Sequence, residues 1–478
     1  MTLGRRSLVA GLAASALAWE ARAALGSAGT LAGLRSRLKG RLILPGDDGY
    51  AAARRGASFS PAEDRHPAAI VQCADESDVA RAIDAARTAS LAIAVKSGGH
   101  DVLGECTADG GLVIDLGAMT RVDIDAAQQT ATVQAGVRSG AFTAAAKPFG
   151  LAPVLGCNPG VGVAGLTLGG GLGWFLGTHG AACDNLIGAD LVTADGRRLA
   201  VSARENPDLF WAIRGGGGNF GVATSLRCRL QPVTTVLAGV VGFRGDPGAF
   251  LRFYRDFMAR APDALAVELS ISAGATPAIL AICCWSGDLD EGQRVLAPLR
   301  AFDKPTVERI GPVAYGDFAG RAGGGAATGN LFWRGGSLDR LSDEAIGRLA
   351  EIAQAGPRNL SIGLGHYMHG RICAAPVGAT PLVRQPGQLS YFLGAGWDAP
   401  AQAGAAMDAV TAAVAALRPV SSQAAYINYL STDDESAVRA AYGAANYARL
   451  QRLKDRYDPA NLFRLNRNVR PSFSRRTG

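Results

Sequence analysis

Glycine is concentrated in three short segments of this chain, residues 96–101, 156–173 and 214–222. The chain has 63 glycines among 478 residues, about 13% against a typical value of about 7%. The glycines follow no Gly-X-Y period, which excludes a collagen-like fold. Because glycine lets the backbone turn sharply and approach a bound group closely, the three segments predict loops that surround a ligand.

Length and charge narrow the class of protein further. A chain of 478 residues suits two or three domains. Its 48 basic and 41 acidic residues give a net charge of +7 without a basic stripe, which argues against a nucleic-acid partner. The eight cysteines form no C-x-x-C pair, so we expect small buried side chains rather than a zinc ribbon.

The first 23 residues have the pattern of an export signal. Arg5 and Arg6 precede an apolar run over 8–18, and residues 21–23 read Ala-Arg-Ala, a small-x-small cleavage site. A twin arginine before a modest apolar run is typical of a Tat-type signal; an ordinary N-terminal helix is the alternative. No second apolar stretch of 18 residues is evident. We therefore expect a mature protein that is periplasmic or secreted and has no membrane contact.

The order of hydrophobic patterns predicts an α+β fold. Strands and helices alternate up to residue 235, and a large antiparallel sheet follows. Predicted strands lie at 69–73, 91–95, 112–116, 130–135, 236–243, 279–285 and 391–397. Predicted helices lie at 75–86, 140–147, 289–302, 402–417 and 435–457, the last stopped by Asp458-Pro459.

The glycine-rich segments differ from the common nucleotide-binding motifs. Segment 96–101 places His100 after two glycines in a loop, where a purely structural role is the alternative. Successive N–H groups in 156–173 suit a pyrophosphate. Residues 169–173 lack the preceding buried strand and following acidic residue of a Rossmann motif, and no G-K-[ST] P-loop exists.

The order and spacing of these segments resemble the FAD-binding domain of the vanillyl-alcohol-oxidase superfamily, also called PCMH-type. Within it, berberine-bridge-enzyme-like oxidases fit best. The resemblance covers about 65–478 and continues through the segments 180–185, 208–214, 426–429, 442–450 and 457–463.

This resemblance implies a domain organisation. Residues 24–64 are an N-terminal segment, 65–235 a two-subdomain FAD-binding domain, and 236–417 an α+β substrate domain with a large antiparallel sheet. The tail 418–478 returns to the FAD domain. The residues implied to bind the cofactor are Ser97, Gly98, Gly99, His100, Asp101, Cys157, Asn158, Gly162, Val163, Gly165, Leu166, Gly169, Gly170, Gly171, Asp184, Asn185, Gly216, Gly217, Asn219, Gly221 and Val222.

In this family the histidine of the S-G-G-H loop is joined covalently to the flavin 8-methyl carbon, which implies attachment through His100. Many relatives add a second link, from a cysteine to flavin carbon 6. That position aligns with Asn158, and Cys157 lies one residue earlier. A single link is therefore the preferred interpretation, and a link through Cys157 stays open.

Oxidation of an alcohol requires a base for the hydroxyl proton. Relatives use a tyrosine from the tail, which implies Tyr426, with Tyr429 second. As a strand, the tail would place Tyr426 and Asn428 on one face and Tyr429 on the other. Positive charge near the flavin would lower the phenol pKa from about 10. The alternative is that both tyrosines only pack the tail onto the FAD domain.

Two histidines follow in segment 366–371. In a strand, His366 and His369 would point to opposite faces, and no third ligand is evident nearby, so we expect no metal site.

The resemblance implies an oxidase that transfers a hydride from a sugar, alcohol or aromatic natural product to FAD and then reduces O2 to H2O2. A flavin dehydrogenase with another electron acceptor is one alternative, since only a small side chain near Gly160 and Val161 would separate the two. A non-catalytic ligand-binding relative is another. The sequence leaves the substrate and the oligomeric state open.

Overall fold

The structure is a computed structural model that describes residues 31, 33–321 and 329–473. The predicted export signal lies outside the described residues. The strands are β1 (Arg41–Ile43), β2 (Ser58–Phe59), β3 (Ala69–Gln72), β4 (Ile93–Lys96), β5 (Leu112–Asp115), β6 (Val122–Asp125), β7 (Thr130–Gln134), β8 (Ala152–Pro153), β9 (Leu186–Val192), β10 (Arg198–Ser202), β11 (Val222–Gln231), β12 (Thr235–Arg244), β13 (Leu265–Ser272), β14 (Ala278–Trp285), β15 (Val307–Ala314), β16 (Gly329–Leu338), β17 (Leu360–Gly365) and β18 (Leu389–Gly396).

Helices of four residues or more lie between these strands and in the tail. They are α1 (Tyr50–Ala53), α2 (Glu76–Thr88), α3 (Ser139–Ala146), α4 (Val163–Leu168), α5 (Leu176–His179), α6 (Pro207–Ala212), α7 (Pro247–Met258), α8 (Leu289–Arg300), α9 (Tyr315–Ala319), α10 (Asp343–Ala355), α11 (Ala403–Leu417), α12 (Glu435–Tyr442) and α13 (Ala444–Tyr457).

The strands form three sheets. A four-stranded sheet has the order β1-β3-β5-β4, with β3, β5 and β4 parallel. A second, antiparallel sheet has the order β10-β9-β11-β7-β6, and β8 pairs with β11. The third has eight strands in the order β15-β12-β14-β13-β17-β18-β16-β2 and is antiparallel except for the β16–β2 pair. The α+β class and the large antiparallel sheet are confirmed.

Local sequence explains the predicted elements that agree with the structure. Helix α2 begins where the Asp75 side chain accepts hydrogen bonds from the Ser77 and Asp78 N–H groups, an N-cap arrangement. Its apolar face, with Val79 and Ile83, is fully buried. Strand β13 alternates buried and half-buried residues, as expected for a sheet with one face on a core.

The two largest hydrophobic clusters among the described residues lie in different parts of the molecule. One joins the first two sheets to residues of the tail, including Ile427, Tyr442 and Tyr447. The other lies between the eight-stranded sheet and helices α7, α10 and α11. The tail is therefore part of the first core, although it follows the large sheet in the sequence.

The structure corrects two predictions about helices. The predicted helix 435–457 is two helices, because Gly443 has a φ of 73° that ends the first one. The expectation of no second long apolar stretch is also wrong. Residues Pro400–Val420 are long and apolar enough to cross a membrane by length and composition. This stretch packs onto the large sheet, and its residues Ala406, Val410 and Leu417 are buried in the core there. It therefore has the position of a helix that covers a sheet.

Candidate active site

The first two glycine-rich segments meet through their backbones. A Cβ added to Gly98 or to Gly162 would overlap the other segment. The Ser97 hydroxyl donates a hydrogen bond to the Ala135 carbonyl at 2.6 Å, and the Val163 N–H donates to Val137 O at 2.9 Å. Both segments are thereby fixed to the second sheet, and this contact requires glycine on both sides.

The second segment also meets the tail. A Cβ on Gly169 would overlap the Asn428 side chain. The Gly171 N–H donates to the Tyr426 hydroxyl at 2.9 Å, and Asn428 Nδ2 donates to the same oxygen at 2.8 Å. Asn428 Nδ2 also donates to Leu166 O at 3.1 Å. The tail is thus connected to this segment by specific hydrogen bonds.

The third segment closes the arrangement. The N–H groups of Gly215 and Gly217 both donate to Leu168 O at 2.9 Å. Asn219 donates to the backbone oxygens of Gly216 and Arg467 and accepts from the Val469 N–H. Gly216 is buried, Gly221 has a φ of 156° and Val222 begins β11. All three predicted segments therefore lie together.

The first segment is joined to the tail by charge. Gly99 has a φ of 73°, which brings Asp101 to the Arg467 guanidinium at 3.2 Å. Arg467 also pairs with Glu105. Burial raises the pKa of the Glu105 carboxyl, against the opposing effect of Arg467.

Unpartnered polar groups show that these loops fit a polar ligand. The Tyr442 hydroxyl and Thr167 Oγ1 are buried and have no hydrogen-bond partner within the described part of the chain. An added Cβ on Gly217 would have only Asn219 Nδ2, at 3.8 Å, and the Tyr442 hydroxyl, at 4.0 Å, near it. Gly165 faces open space in the same way. Backbone amides and hydroxyls match the phosphate and ribose groups of a dinucleotide.

His100 lies at the edge of this arrangement. A Cβ on Gly160 would stand 3.2 Å from His100 Nε2 and 3.3 Å from the Asn158 side-chain oxygen. Burial, reinforced by the charge of Arg138, lowers the pKa of His100 to about 4. The imidazole is therefore neutral at pH 7, which leaves a ring nitrogen free to act as a nucleophile.

Cys157 points elsewhere. Its Sγ lies 4.0 Å from His366 Nε2, on the side of the large sheet, whereas the side chains of Asn158 and His100 both lie near Gly160. Burial, followed by the nearby Glu268 charge, raises the pKa of the Cys157 thiol well above its usual value. The thiol is therefore protonated at neutral pH and is a poor nucleophile.

Cys157, Glu268 and His366 form a compact side-chain group. Their ligand-type atoms all lie within 4.8 Å of one another. Glu268 projects from β13 and accepts a hydrogen bond from the His366 N–H at 2.9 Å, and the His366 Nε2 lies 3.9 Å from Glu268 Oε1. His366 Nδ1 is buried without a partner among the described residues. The group joins the second glycine-rich segment to the large sheet.

The structure corrects the predictions for the two histidines. Strand β17 ends at Gly365, and His366 has a left-handed φ of 53°, so neither histidine is in a strand. His369 Nε2 instead lies 3.1 Å from Leu265 O. The expectation that His366 has no further potential ligands is wrong, because Cys157 and Glu268 lie beside it.

The tail tyrosines also differ from prediction. Residues Ile427–Tyr429 form a 3-10 turn rather than a strand, which brings the rings of Tyr426 and Tyr429 to 5.4 Å. Burial raises the pKa of both phenols. The hydrogen bonds that Tyr426 accepts offset this rise only in part, and the nearby Glu268 charge raises the pKa of Tyr429 further. Among the described residues, no positive charge offsets this burial, so the protein alone does not supply the expected lowering of the phenol pKa. The Tyr429 ring lies 5.6 Å from His366.

Asp184 and Asn185, two residues predicted to bind the cofactor, have hydrogen-bond and ion-pair partners within the protein. Asp184 accepts a hydrogen bond from the Ala181 N–H at 2.9 Å and pairs with Arg384 at 2.7 Å. Asn185 donates to the carbonyls of His179 and Ala181. Both residues line a separate cleft that is described below.

Glu268 is the site residue that sequence reasoning missed. It lies in β13, a strand that was not predicted. Buried and half-buried residues alternate along this strand, and Glu268 is one of the half-buried ones. A lone carboxylate within such a pattern is a usable signal, since a partly buried acid requires partners.

Comparison with known proteins agrees with this geometry. Residues 67–202 match the family model "FAD binding domain", and residues 425–470 match "Berberine and berberine like". The (R)-6-hydroxynicotine oxidase of Paenarthrobacter nicotinovorans is 30% identical over 91% of this chain and 98% of its own length.

Solved structures give the same result. The crystal structure of 6-hydroxy-D-nicotine oxidase from Arthrobacter nicotinovorans has a TM-score of 0.83 and 27% identity, covering 90% of this chain and 98% of its own. Glucooligosaccharide oxidase from Acremonium strictum, described with a 6-S-cysteinyl, 8α-N1-histidyl FAD, has a TM-score of 0.80 and 25% identity, covering 93% and 99%. The chain belongs to the berberine-bridge-like family of FAD-linked oxidoreductases, and its cofactor is FAD.

Proposed function

We propose that this enzyme is a secreted oxidase that removes a hydride from a small organic molecule and passes two electrons to O2, giving H2O2. FAD supplies the two-electron acceptor for this reaction. The observation that carries the proposal is the position of Cys157, Glu268, His366 and Tyr429, which meet where the second glycine-rich segment faces the large sheet. A substrate held there lies between the FAD-binding loops and a set of polar side chains.

Glu268 and His366 are the proposed proton acceptors. When the substrate C–H bond is oxidised, its O–H or N–H proton transfers to the Glu268 carboxylate, and a new C=O or C=N bond forms. The backbone hydrogen bond from His366 fixes the position of the carboxylate. The His366 ring beside Glu268 offers a second group for the proton.

Tyr426 has a different proposed role. Its hydroxyl oxygen already accepts hydrogen bonds from Gly171 and Asn428, so Tyr426 and Asn428 hold the tail against the FAD-binding loop. Tyr429 lies beside His366, with ring centres 5.6 Å apart, and its ring also packs edge-on against Trp333 at 5.9 Å. These two rings offer a surface for a sugar or an aromatic substrate.

The proposed flavin attachment is a single link through His100. The neutral imidazole supplies the nucleophilic nitrogen. It shares the surroundings of Gly160 with the Asn158 side chain, whereas the Cys157 thiol lies near His366. Glucooligosaccharide oxidase is described with both histidyl and cysteinyl links. The protonated Cys157 thiol, directed at His366 and Glu268, favours one link here.

The proposed division of the chain follows its sheets. Residues 65–235 contribute the first two sheets apart from β1, residues 236–417 most of the third, and residues from 418 the tail of the first core. Export rests on Arg5-Arg6 and the cleavage motif at 21–23. N-terminal sequencing of secreted protein should begin at Ala24, and a start at Met1 would contradict export with cleavage.

The test of function is a substrate panel read by flavin absorbance and peroxide release. The related proteins are named for nicotine derivatives and oligosaccharides, so the panel should contain hydroxylated aromatic amines, oligosaccharides and primary alcohols. An oxidase substrate bleaches the flavin bands without O2, and the colour returns in air together with H2O2. Bleaching that air does not reverse would identify a dehydrogenase and contradict the oxidase proposal.

A further inference from the structure

A cleft of about 560 Å³ has a lining that contains none of Cys157, Glu268 and His366, and its volume lies within the size range of small-molecule sites. One wall comes from the FAD domain and includes Arg214 and Arg229. The other wall is the segment 371–380, which begins at Arg371. The cleft thus lies between two parts of the chain that are distant in sequence.

The cleft has an excess of positive charge. Asp184 is the acidic residue in its lining, and the Arg384 guanidinium neutralises it at 2.7 Å. Arg214, Arg229 and Arg371 therefore leave about three uncompensated positive charges around one concave space. Such a charge distribution attracts anions and concentrates them locally.

The three arginines retain hydrogen-bonding capacity. Within residues 31, 33–321 and 329–473, the Arg229 and Arg371 guanidinium groups form neither an ion pair nor a hydrogen bond, and both residues are exposed. Arg214 is fixed by one hydrogen bond to Ala379 O at 3.0 Å and by the Phe210 ring beneath it. Its Nε is buried without a partner in the same described part. A carboxylate or phosphate accepts two hydrogen bonds from such a group.

Neutral donors complete the lining. Thr178 and His179 lie beside the arginines, and burial, together with the Arg371 charge, lowers the pKa of His179. His179 is therefore neutral near pH 7 and adds a hydrogen-bonding group without further charge.

We propose that this cleft is a binding site for a small organic anion that carries carboxylate or phosphate groups. The site is separate from the proposed oxidation pocket, where the acidic Glu268 disfavours an anion. The anion bridges Arg229 of the FAD domain and Arg371 of the facing segment. Because the bound anion contacts both walls of the cleft, it also stabilises the contact between them.

The test is calorimetric titration of the FAD-loaded enzyme with citrate and with inorganic phosphate, at constant ionic strength set with chloride. Wild-type enzyme should bind at least one probe at one site per chain. The double variant Arg229→Ala, Arg371→Ala should bind at least tenfold more weakly. The matched control is Arg244→Ala, Arg309→Ala, which removes the same charge from exposed positions elsewhere and should bind as wild type does.

A melting-temperature series separates site binding from a general salt effect. The probe should raise the melting temperature of the wild type and the control, but not that of the Arg229→Ala, Arg371→Ala variant. The proposal is overturned if neither probe binds the wild type, or if the cleft variant and the control bind equally. Unchanged flavin absorbance in all variants shows that the result is independent of the oxidase proposal.

Discussion

The FAD-binding loops and the side-chain group that faces them, with Glu268, His366 and Tyr429, are built in different ways. The loops depend on backbone: Gly98 meets Gly162 at a distance that no Cβ allows, and Gly215 and Gly217 share one carbonyl acceptor. The facing side-chain group depends on side chains: Glu268, His366 and Tyr429 reach it from β13, from the loop after β17 and from the tail. In the proposed function, the first region holds the cofactor and the second region provides the groups that act on the substrate.

This difference predicts how each region responds to substitution. A change in the loops should affect flavin content and stability together, since the same backbone contacts hold the cofactor and stabilise the fold. A conservative change in the pocket should alter rates while flavin content stays constant. The four predictions below run from the largest expected effect to the smallest.

The largest effect is expected from Gly162→Ala. The new Cβ would overlap Ser97 Oγ and the backbone of Gly98, so one segment must move and the FAD-binding contact opens. We expect almost no absorbance from bound flavin at 450 nm and a destabilisation of about 1–3 kcal/mol or more, as for overpacking. The matched control is Gly347→Ala in helix α10, where nothing lies within 4 Å of the new Cβ; it should retain flavin and gain up to about 1 kcal/mol. Equal flavin content in both would refute the backbone account.

The second effect is expected from Glu268→Gln. Glutamine still accepts the His366 N–H but is a much weaker base, so anaerobic flavin reduction by an alcohol substrate should slow about 10²–10⁴-fold. Stopped-flow absorbance measures this rate, and flavin content should not change.

Tyr426→Phe is the comparison for this variant. Loss of the hydroxyl leaves the Gly171 N–H without an acceptor and removes one of the two hydrogen bonds that Asn428 Nδ2 donates, which should destabilise the protein by about 1–3 kcal/mol. Its reduction rate should change less than tenfold. If Tyr426→Phe slowed flavin reduction more than Glu268→Gln does, Tyr426 rather than Glu268 would be the base.

Sequence reasoning succeeded where local pattern decides structure. The cap at Asp75 and the spacing of Val79 and Ile83 determine helix α2. Glycine clusters indicate close backbone approach wherever they fold, so the segments 96–101, 156–173 and 214–222 were recognisable.

It failed where tertiary contacts decide. The left-handed backbone of His366 is fixed by Glu268, which lies far away in sequence. The 3-10 turn at Ile427–Tyr429 depends on contacts with the glycine-rich segment, including the hydrogen bonds that Tyr426 accepts. Gly443, by contrast, was a readable signal that the predicted helix 435–457 ends early.

The third prediction concerns the pH dependence of flavin attachment. Since the pKa of His100 is lowered to about 4, its protonated form is favoured only below that value. At pH 5.5 roughly 97% of His100 is neutral, against roughly 9% for an ordinary histidine with a pKa near 6.5. Apoprotein incubated with FAD should therefore attach it at pH 5.5 at a rate within about threefold of that at pH 7.5. A tenfold fall would contradict the lowered pKa.

The smallest effect is expected from Cys157→Ser. Because the thiol is protonated and directed at His366 and Glu268, the substitution should leave flavin content, absorbance spectrum and melting temperature nearly unchanged. Loss of a second link would instead shift the flavin bands visibly.

Peptide mass mapping of the acid-precipitated wild-type protein tests the central claim most directly, without a known substrate. The account predicts that FAD stays with the protein and that its mass is found on the peptide containing His100, with the peptide containing Cys157 and Asn158 unmodified. FAD released into the acid supernatant, or a flavin mass on the Cys157 peptide, would contradict it.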